Sequence, residues 1–115
     1  LIELFIALQI YWSDADSGRL PSGEKFRLHD VDAPETWKPK CEAERAAGYD
    51  AKAAIISHTR GQTVTVTRDY GLDSYGRRVV DLSGPDGDIG AWLVANGHAQ
   101  VWDYDGGQRK LDWCD

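Results

Sequence analysis

One stretch of this 115-residue chain carries long helical spacing: Ala43, Ala47, Ala51, Ala54 or Ile55, and His58 recur at three- and four-residue intervals between Cys41 and Arg60, and Gly61 stops the pattern. Around it the apolar residues alternate with a period of two. Ile6, Leu8, Ile10 and Trp12 fall on one side of residues 4–12, Val64 and Val66 oppose Thr63, Thr65 and Thr67, and Val80 and Leu82 oppose Val79 and Asp81. A chain patterned this way folds as short strands around one principal helix.

Turn residues divide the strands. Ser13 to Gly18 and Pro21-Ser22-Gly23-Glu24 read as turns, and the second delivers the chain into Lys25–Val31, a strand that ends at Asp32-Ala33-Pro34. After the tight turn Gly84-Pro85-Asp86-Gly87, Asp88 caps a short helix through about Asn96, with Gly97 closing it. The expected architecture is α+β and mainly β: a five-stranded OB-type Greek-key barrel with two to three helices, in one domain over residues 1–115. The tail, Asp103–Asp115, is expected to be irregular.

The formal charge of −6 is weighted toward the C-terminus, where residues 81–115 hold seven Asp against Arg109 and Lys110. That balance argues against tight non-specific nucleic-acid binding, which draws on a basic surface, and leaves room for a local cationic site. Leu1 to Leu8 lack the basic start and small-residue cleavage site of a signal peptide and read as a strand. No run approaches the roughly 18 apolar residues of a membrane helix, so a soluble domain without a membrane partner is expected. Cys41 and Cys114 either pair, tying the tail to the start of the principal helix, or are two unrelated thiols; an export context favours the bridge.

Arg27, Asp32 and Glu35 lie within nine residues, and Tyr75-Gly76-Arg77 follows about forty residues later. A hard cation wants carboxylate oxygens, an attacking water wants a carboxylate nearby, and a phosphate turning pentacovalent wants guanidinium forks. Asp16 and Asp32 are the candidate Ca²⁺ ligands, with the Ala33 carbonyl third, and Glu35 is the candidate general base. Arg27 and Asp32 are five apart and would point to opposite faces of a continuous strand, so the strand must break near Asp30; Pro34, which restricts its predecessor and donates no ladder bond, makes the break plausible. His29, His58 and His98 have no metal-ligand spacing and read as packing or surface residues.

In three blocks the sequence resembles a staphylococcal-nuclease-like (thermonuclease) domain. These are Asp14-Ala15-Asp16-Ser17; Arg27-Leu28 followed by Val31-Asp32-Ala33-Pro34-Glu35; and Asp73-Ser74-Tyr75-Gly76-Arg77. A weaker fourth, Leu93-Val94 with Gly97 and Ala99, resembles the family's late helix. The resemblance implies an OB-type barrel that hydrolyses DNA and RNA with Ca²⁺ at the 5′-oxygen, leaving 3′-phosphates. It assigns the metal to Asp16, Asp32 and the Ala33 carbonyl, the base to Glu35, the phosphate clamp to Arg27 and Arg77, and a further phosphate contact to Tyr75. Asp14 would support the metal's waters, and Ser17 would stand in for a motif threonine.

Ala15 replaces a motif glycine and would strain the turn by about 1 kcal/mol if that position needs a positive φ. For base stacking the nearest aromatics are Trp102 and Tyr104, which flank the gap-free position Asp103. Two functional classes follow: a secreted or periplasmic endonuclease acting on DNA or RNA, with single strands favoured, or a catalytically inactive barrel that binds nucleic acid or protein. Clustered acids where a phosphate must sit favour the enzyme, because a pure binder gains nothing from them.

Overall fold

The computed structural model describes residues 4–6, 10–103, 106–110 and 112–114. The architecture is α+β. Strands β1 (Leu4–Ile6), β2 (Tyr11–Asp14), β3 (Ser17–Arg19), β4 (Lys25–Leu28) and β5 (Val31–Asp32) precede helix α1 (Glu42–Thr59). Then come β6 (Thr63–Leu72), β7 (Arg78–Gly84), β8 (Gly87–Asp88), helix α2 (Ile89–Ala95) and β9 (Gln100–Val101). The expected five strands are thus cut into nine described segments, because turns and bulges interrupt the longer runs. The main sheet runs β1-β6-β7-β4-β3-β2 with β8 on β7, and β5 pairs with β9 separately; among the described residues the two ends of the main sheet do not pair, so it stays open.

The two-residue periods are realised as one buried face. Val64, Val66, Val80 and Leu82 join Trp12, Phe26, Leu28, Ile55, Ile89 and Leu93 in the core, while Thr63 and Thr67 face out. At about 25 cal/mol per Å² of apolar surface, this shared interior is the main favourable contribution to folding. β6 outruns the Thr63–Thr67 alternation: register shifts near Thr67 and Tyr70 twist its outer half away from the core, and it continues to Leu72.

Helix α1 matches the expected span and buries Ala51 and Ile55 of the expected stripe, but its first turns present other residues inward. Glu44, Gly48, Ala51, Ile55 and Thr59 are buried, whereas Ala43, at the head of the predicted stripe, is exposed. The physical reason is polar: Glu44 and Gly48 face the loop after Pro34, a contact that a count of apolar side chains cannot register. Cys41 caps the helix, its Sγ accepting the Glu44 N–H, and Asp88 caps α2 through the Ala91 N–H.

The break required between Arg27 and Asp32 is present. β4 stops at Leu28, and Asp30 adopts a φ of 61°, a left-handed turn that Asp tolerates better than most residues. The strain expected at Ala15 is absent. The described non-glycine residues with positive φ are Asp30 and Lys38, and fully buried Ala15 sits in an ordinary turn because a register shift between Trp12 and Asp14 accommodates the β2–β3 reversal. No helix among the described residues is long and apolar enough to cross a membrane.

Candidate active site

A cleft of about 540 Å³ opens where β4, the β2–β3 turn and the β6–β7 hairpin meet. Asp14, Asp16, Ser17, Arg27, Asp32, Glu35, Tyr75, Arg77 and Trp102 all line it, so the sequence-predicted side chains converge, although they come from segments up to 88 residues apart. Tyr104 lies outside the described residues. Ala33 is fully buried behind the cleft, where its N–H donates 2.9 Å to Asp16 Oδ2.

Each side chain is held by local structure. Arg27 sits mid-strand between β3 and β7, pairing with Ser17 on one side and Val79 on the other. Its guanidinium is 5.3 Å from the Trp102 ring centroid, the residue is only 8% exposed, and no carboxylate among the described residues pairs with it. A buried, uncompensated guanidinium is costly unless an anion completes the site. Arg77 is presented by the hairpin turn, in which Gly76 takes a φ of 77° and Asp73 acts as organiser. Asp73 Oδ1 accepts the N–H groups of Tyr75 and Arg77, and Oδ2 accepts the Arg77 Nε–H at 2.9 Å. Tyr75 is exposed at the cleft mouth with the Arg77 guanidinium 5.3 Å from its ring.

The Glu35 loop is anchored twice. Buried Glu44 accepts the Glu35 and Lys40 N–H groups at 3.2 and 2.7 Å, while Asp14 Oδ1 accepts the Thr36 N–H and hydroxyl at 3.0 and 2.6 Å. Gly48 lets α1 approach: a Cβ there would come within 2.7 Å of the Glu35 carbonyl oxygen. Asp14 therefore ties the candidate base's loop to the β2–β3 turn.

The tail contributes two residues that the sequence reading missed. Lys110 Nζ donates to Asp32 Oδ1, and Trp113 Nε1 donates 2.9 Å to Asp32 Oδ2. Cys41 and Cys114 are disulfide-bonded, with Cα atoms 5.9 Å apart, which resolves the open pairing and brings the tail to the start of α1. The available signal was faint: Lys110 is one of two cations in an acidic tail, four residues before a cysteine.

Acid crowding shows in the proton affinities. Burial, reinforced by repulsion from Asp32 and Asp14 against the opposing Ala33 N–H, pushes the Asp16 carboxyl up to about 6. Burial, the hydrogen bond to Asp14 and repulsion from Asp16 and Asp14 push Glu35 up to about 8, with Lys110 opposing. A carboxyl raised above its unfolded value contributes stability below that unfolded value and loses it as pH rises through the folded one. Their unfolded values are 3.8 and 4.5, so the affected window runs from about 4 to about 8. In chelator, the melting temperature is expected to fall as pH rises from about 5 to about 8.5, the reverse of ordinary salt-bridged carboxylates. A rising or flat melting temperature over that window contradicts this.

Hard oxygen donors dominate the acid end, a chemistry suited to Ca²⁺. Among the described residues no three His, Cys, Asp or Glu donors converge as a ready-made metal group. Asp32 is turned to Lys110 and Trp113, and Asp16 Oδ2 to the Ala33 N–H. The donor set fits the ion in kind, with Lys110 supplying positive charge beside it.

A family model described as staphylococcal nuclease homologue matches residues 25–112. The chain belongs to that family. The matched span holds Arg27, Asp32, Glu35 and Arg77, while Asp14 and Asp16 precede it. A curated relative of this nuclease-homologue domain, succinoglycan biosynthesis protein ExoI of Rhizobium meliloti (strain 1021), is 35% identical over 89 residues. These make up 73% of this chain and 46% of that protein, so the chain spans about half the relative's length.

Proposed function

We propose that this domain is a Ca²⁺-dependent endonuclease that hydrolyses DNA or RNA at the 5′-oxygen and leaves 3′-phosphates. The observation that carries the reading is Arg27, a buried guanidinium without a carboxylate partner among the described residues, opening into the same cleft as Arg77, Asp14, Asp16, Asp32 and Glu35. An anionic, tetrahedral-to-pentacovalent group meets both arginine forks while Glu35 lies on the acid side.

Asp16 and Asp32, with the Ala33 carbonyl, would hold the cation. When bound it supplies Lewis-acid stabilisation of charge on the phosphate. Glu35 takes the proton of an attacking water as the new O–P bond forms and the bond to the 5′-oxygen breaks, and the departing 5′-oxygen takes up a proton from solvent to leave as a hydroxyl. Arg27 and Arg77 neutralise the growing charge on the non-bridging oxygens, and Tyr75 and Trp102 offer faces on which single-stranded bases stack. The Cys41–Cys114 bridge supports a secreted or periplasmic setting, where disulfides persist.

Purified protein is expected to degrade single-stranded DNA with added Ca²⁺ and to stop in excess chelator, with Mg²⁺ supporting less activity because it demands tighter octahedral geometry. Asp32→Ala should abolish the Ca²⁺-dependent cleavage. Arg27→Ala or Arg77→Ala should each lower kcat by roughly 10²–10³, with a much smaller effect on oligonucleotide affinity. If the parent protein binds oligonucleotides without cleaving them, and all these variants lose binding together, the domain is a binding module instead.

A further inference from the structure

Both carboxylate oxygens of Asp32 are engaged by the C-terminal tail, although the residue is only 1% exposed and its partners lie 78 and 81 residues away. The Lys110 ammonium that touches Oδ1 also stands 3.6 Å from Glu35 Oε1 and 5.1 Å from the centre of the Trp102 ring. It therefore sits between the candidate base and a candidate cation ligand. The neutral indole N–H of Trp113 covers the other oxygen.

The chain is anchored on each side of Lys110. Upstream, Gln108 closes a small loop with Asp103 through paired bonds of 2.9 and 2.8 Å, and its carbonyl accepts the Trp102 Nε1–H at 3.0 Å. Downstream, Cys114 is covalently joined to Cys41 at the N-cap of α1. These anchors raise the effective concentration of the ammonium at Asp32, as a linker does for any second binding event. Solvent still reaches the Lys110 side chain, which is 38% exposed, so it is positioned to be displaced.

We propose that the tail is a built-in competitor of the divalent cation, with Lys110 as a tethered counter-cation on Asp32 that must leave before Asp32 can ligate. The inference rests on the proposed role of Asp16 and Asp32 as cation ligands. Its consequences follow from linkage: the tail weakens cation affinity, and the cation loosens the tail by the same factor. Removing a full positive charge from this site weighs more than removing the neutral Trp113 donor, because opposite charges in direct contact interact far more strongly than a neutral donor does.

The test is Ca²⁺ titration by calorimetry of the disulfide-intact parent, Lys110→Met, which keeps a long unbranched side chain without the charge, and Trp113→Phe, which keeps an aromatic ring without the donor. Lys110→Met is expected to bind Ca²⁺ about 10- to 100-fold more tightly, and Trp113→Phe to gain less. In the parent, Ca²⁺ should speed hydrogen exchange of the amides around residues 108–114, a readout that needs no variant to fold. Equal Ca²⁺ affinity in the parent and Lys110→Met, with both binding, overturns the competitor and leaves the cation site intact. Unchanged Ca²⁺ affinity with weakened oligonucleotide binding also overturns it and assigns Lys110 to the phosphate. Absence of Ca²⁺ binding in both proteins overturns the cation reading and the competitor together.

Discussion

Glu35→Gln is expected to lower kcat by about 10²–10⁴-fold while oligonucleotide binding is kept or improved. The substitution preserves size and hydrogen-bonding capacity but removes the only proton acceptor that the proposed chemistry assigns. The loop should stay in place because its anchors are independent of the Glu35 side chain: Glu44 holds the Glu35 N–H, and Asp14 holds Thr36. Asp14 and Asp16 repel charge on Glu35 and raise its proton affinity, so replacing this acid by a neutral amide should favour an approaching phosphate. Single-turnover cleavage alongside fluorescence anisotropy of a labelled oligonucleotide separates the two effects. Near-parental kcat in Glu35→Gln would remove Glu35 from the mechanism, and a parallel loss of binding would make it a structural residue.

The other large effect is on stability. Cys41→Ser with Cys114→Ser is expected to destabilise the fold by up to about 4 kcal/mol in the loop-entropy model, a drop in melting temperature on the order of 10–20 °C. The bridge spans 73 residues, so it removes much of the freedom of the unfolded chain, and serine at position 41 can still cap α1 as the Cys41 Sγ does for the Glu44 N–H. The effect therefore reports the tether rather than a lost cap. Thermal melts of the parent and the double variant, read by circular dichroism, decide it. A shift below about 3 °C would show that the bridge adds little to the confinement of the unfolded chain and overturn this expectation.

What local patterning carries is well represented in the final fold. The helix between Cys41 and Arg60, the Asp88-capped second helix and the alternation of Val64, Val66, Val80 and Leu82 all follow from spacing over a few residues, and the structure repeats them. The break near Asp30 was also legible, because Arg27 and Asp32 could not share a face of an unbroken strand. Ala15 was misleading for a comparable reason: a motif glycine suggests a positive φ, but the β2–β3 register shift makes the reversal without one. The start of the buried face of α1 was misjudged because its partner there is the backbone of the Glu35 loop, whose N–H groups bond the Glu44 carboxylate and whose carbonyls approach Gly48 too closely for a side chain.

By itself the sequence singled out the side chains suited to the proposed phosphodiester chemistry, namely Asp16, Arg27, Asp32, Glu35 and Arg77, through their types and order. Only the tertiary structure decided that they share one cleft and that Arg27 lies in it without a carboxylate partner among the described residues. It also decided that Lys110 and Trp113 close on Asp32. The physical reason is range. Periodicity reports on neighbours within a few residues, whereas an ion pair across 78 residues forms because sheet pairing and a disulfide bring its ends together, and neither leaves a repeat in the chain.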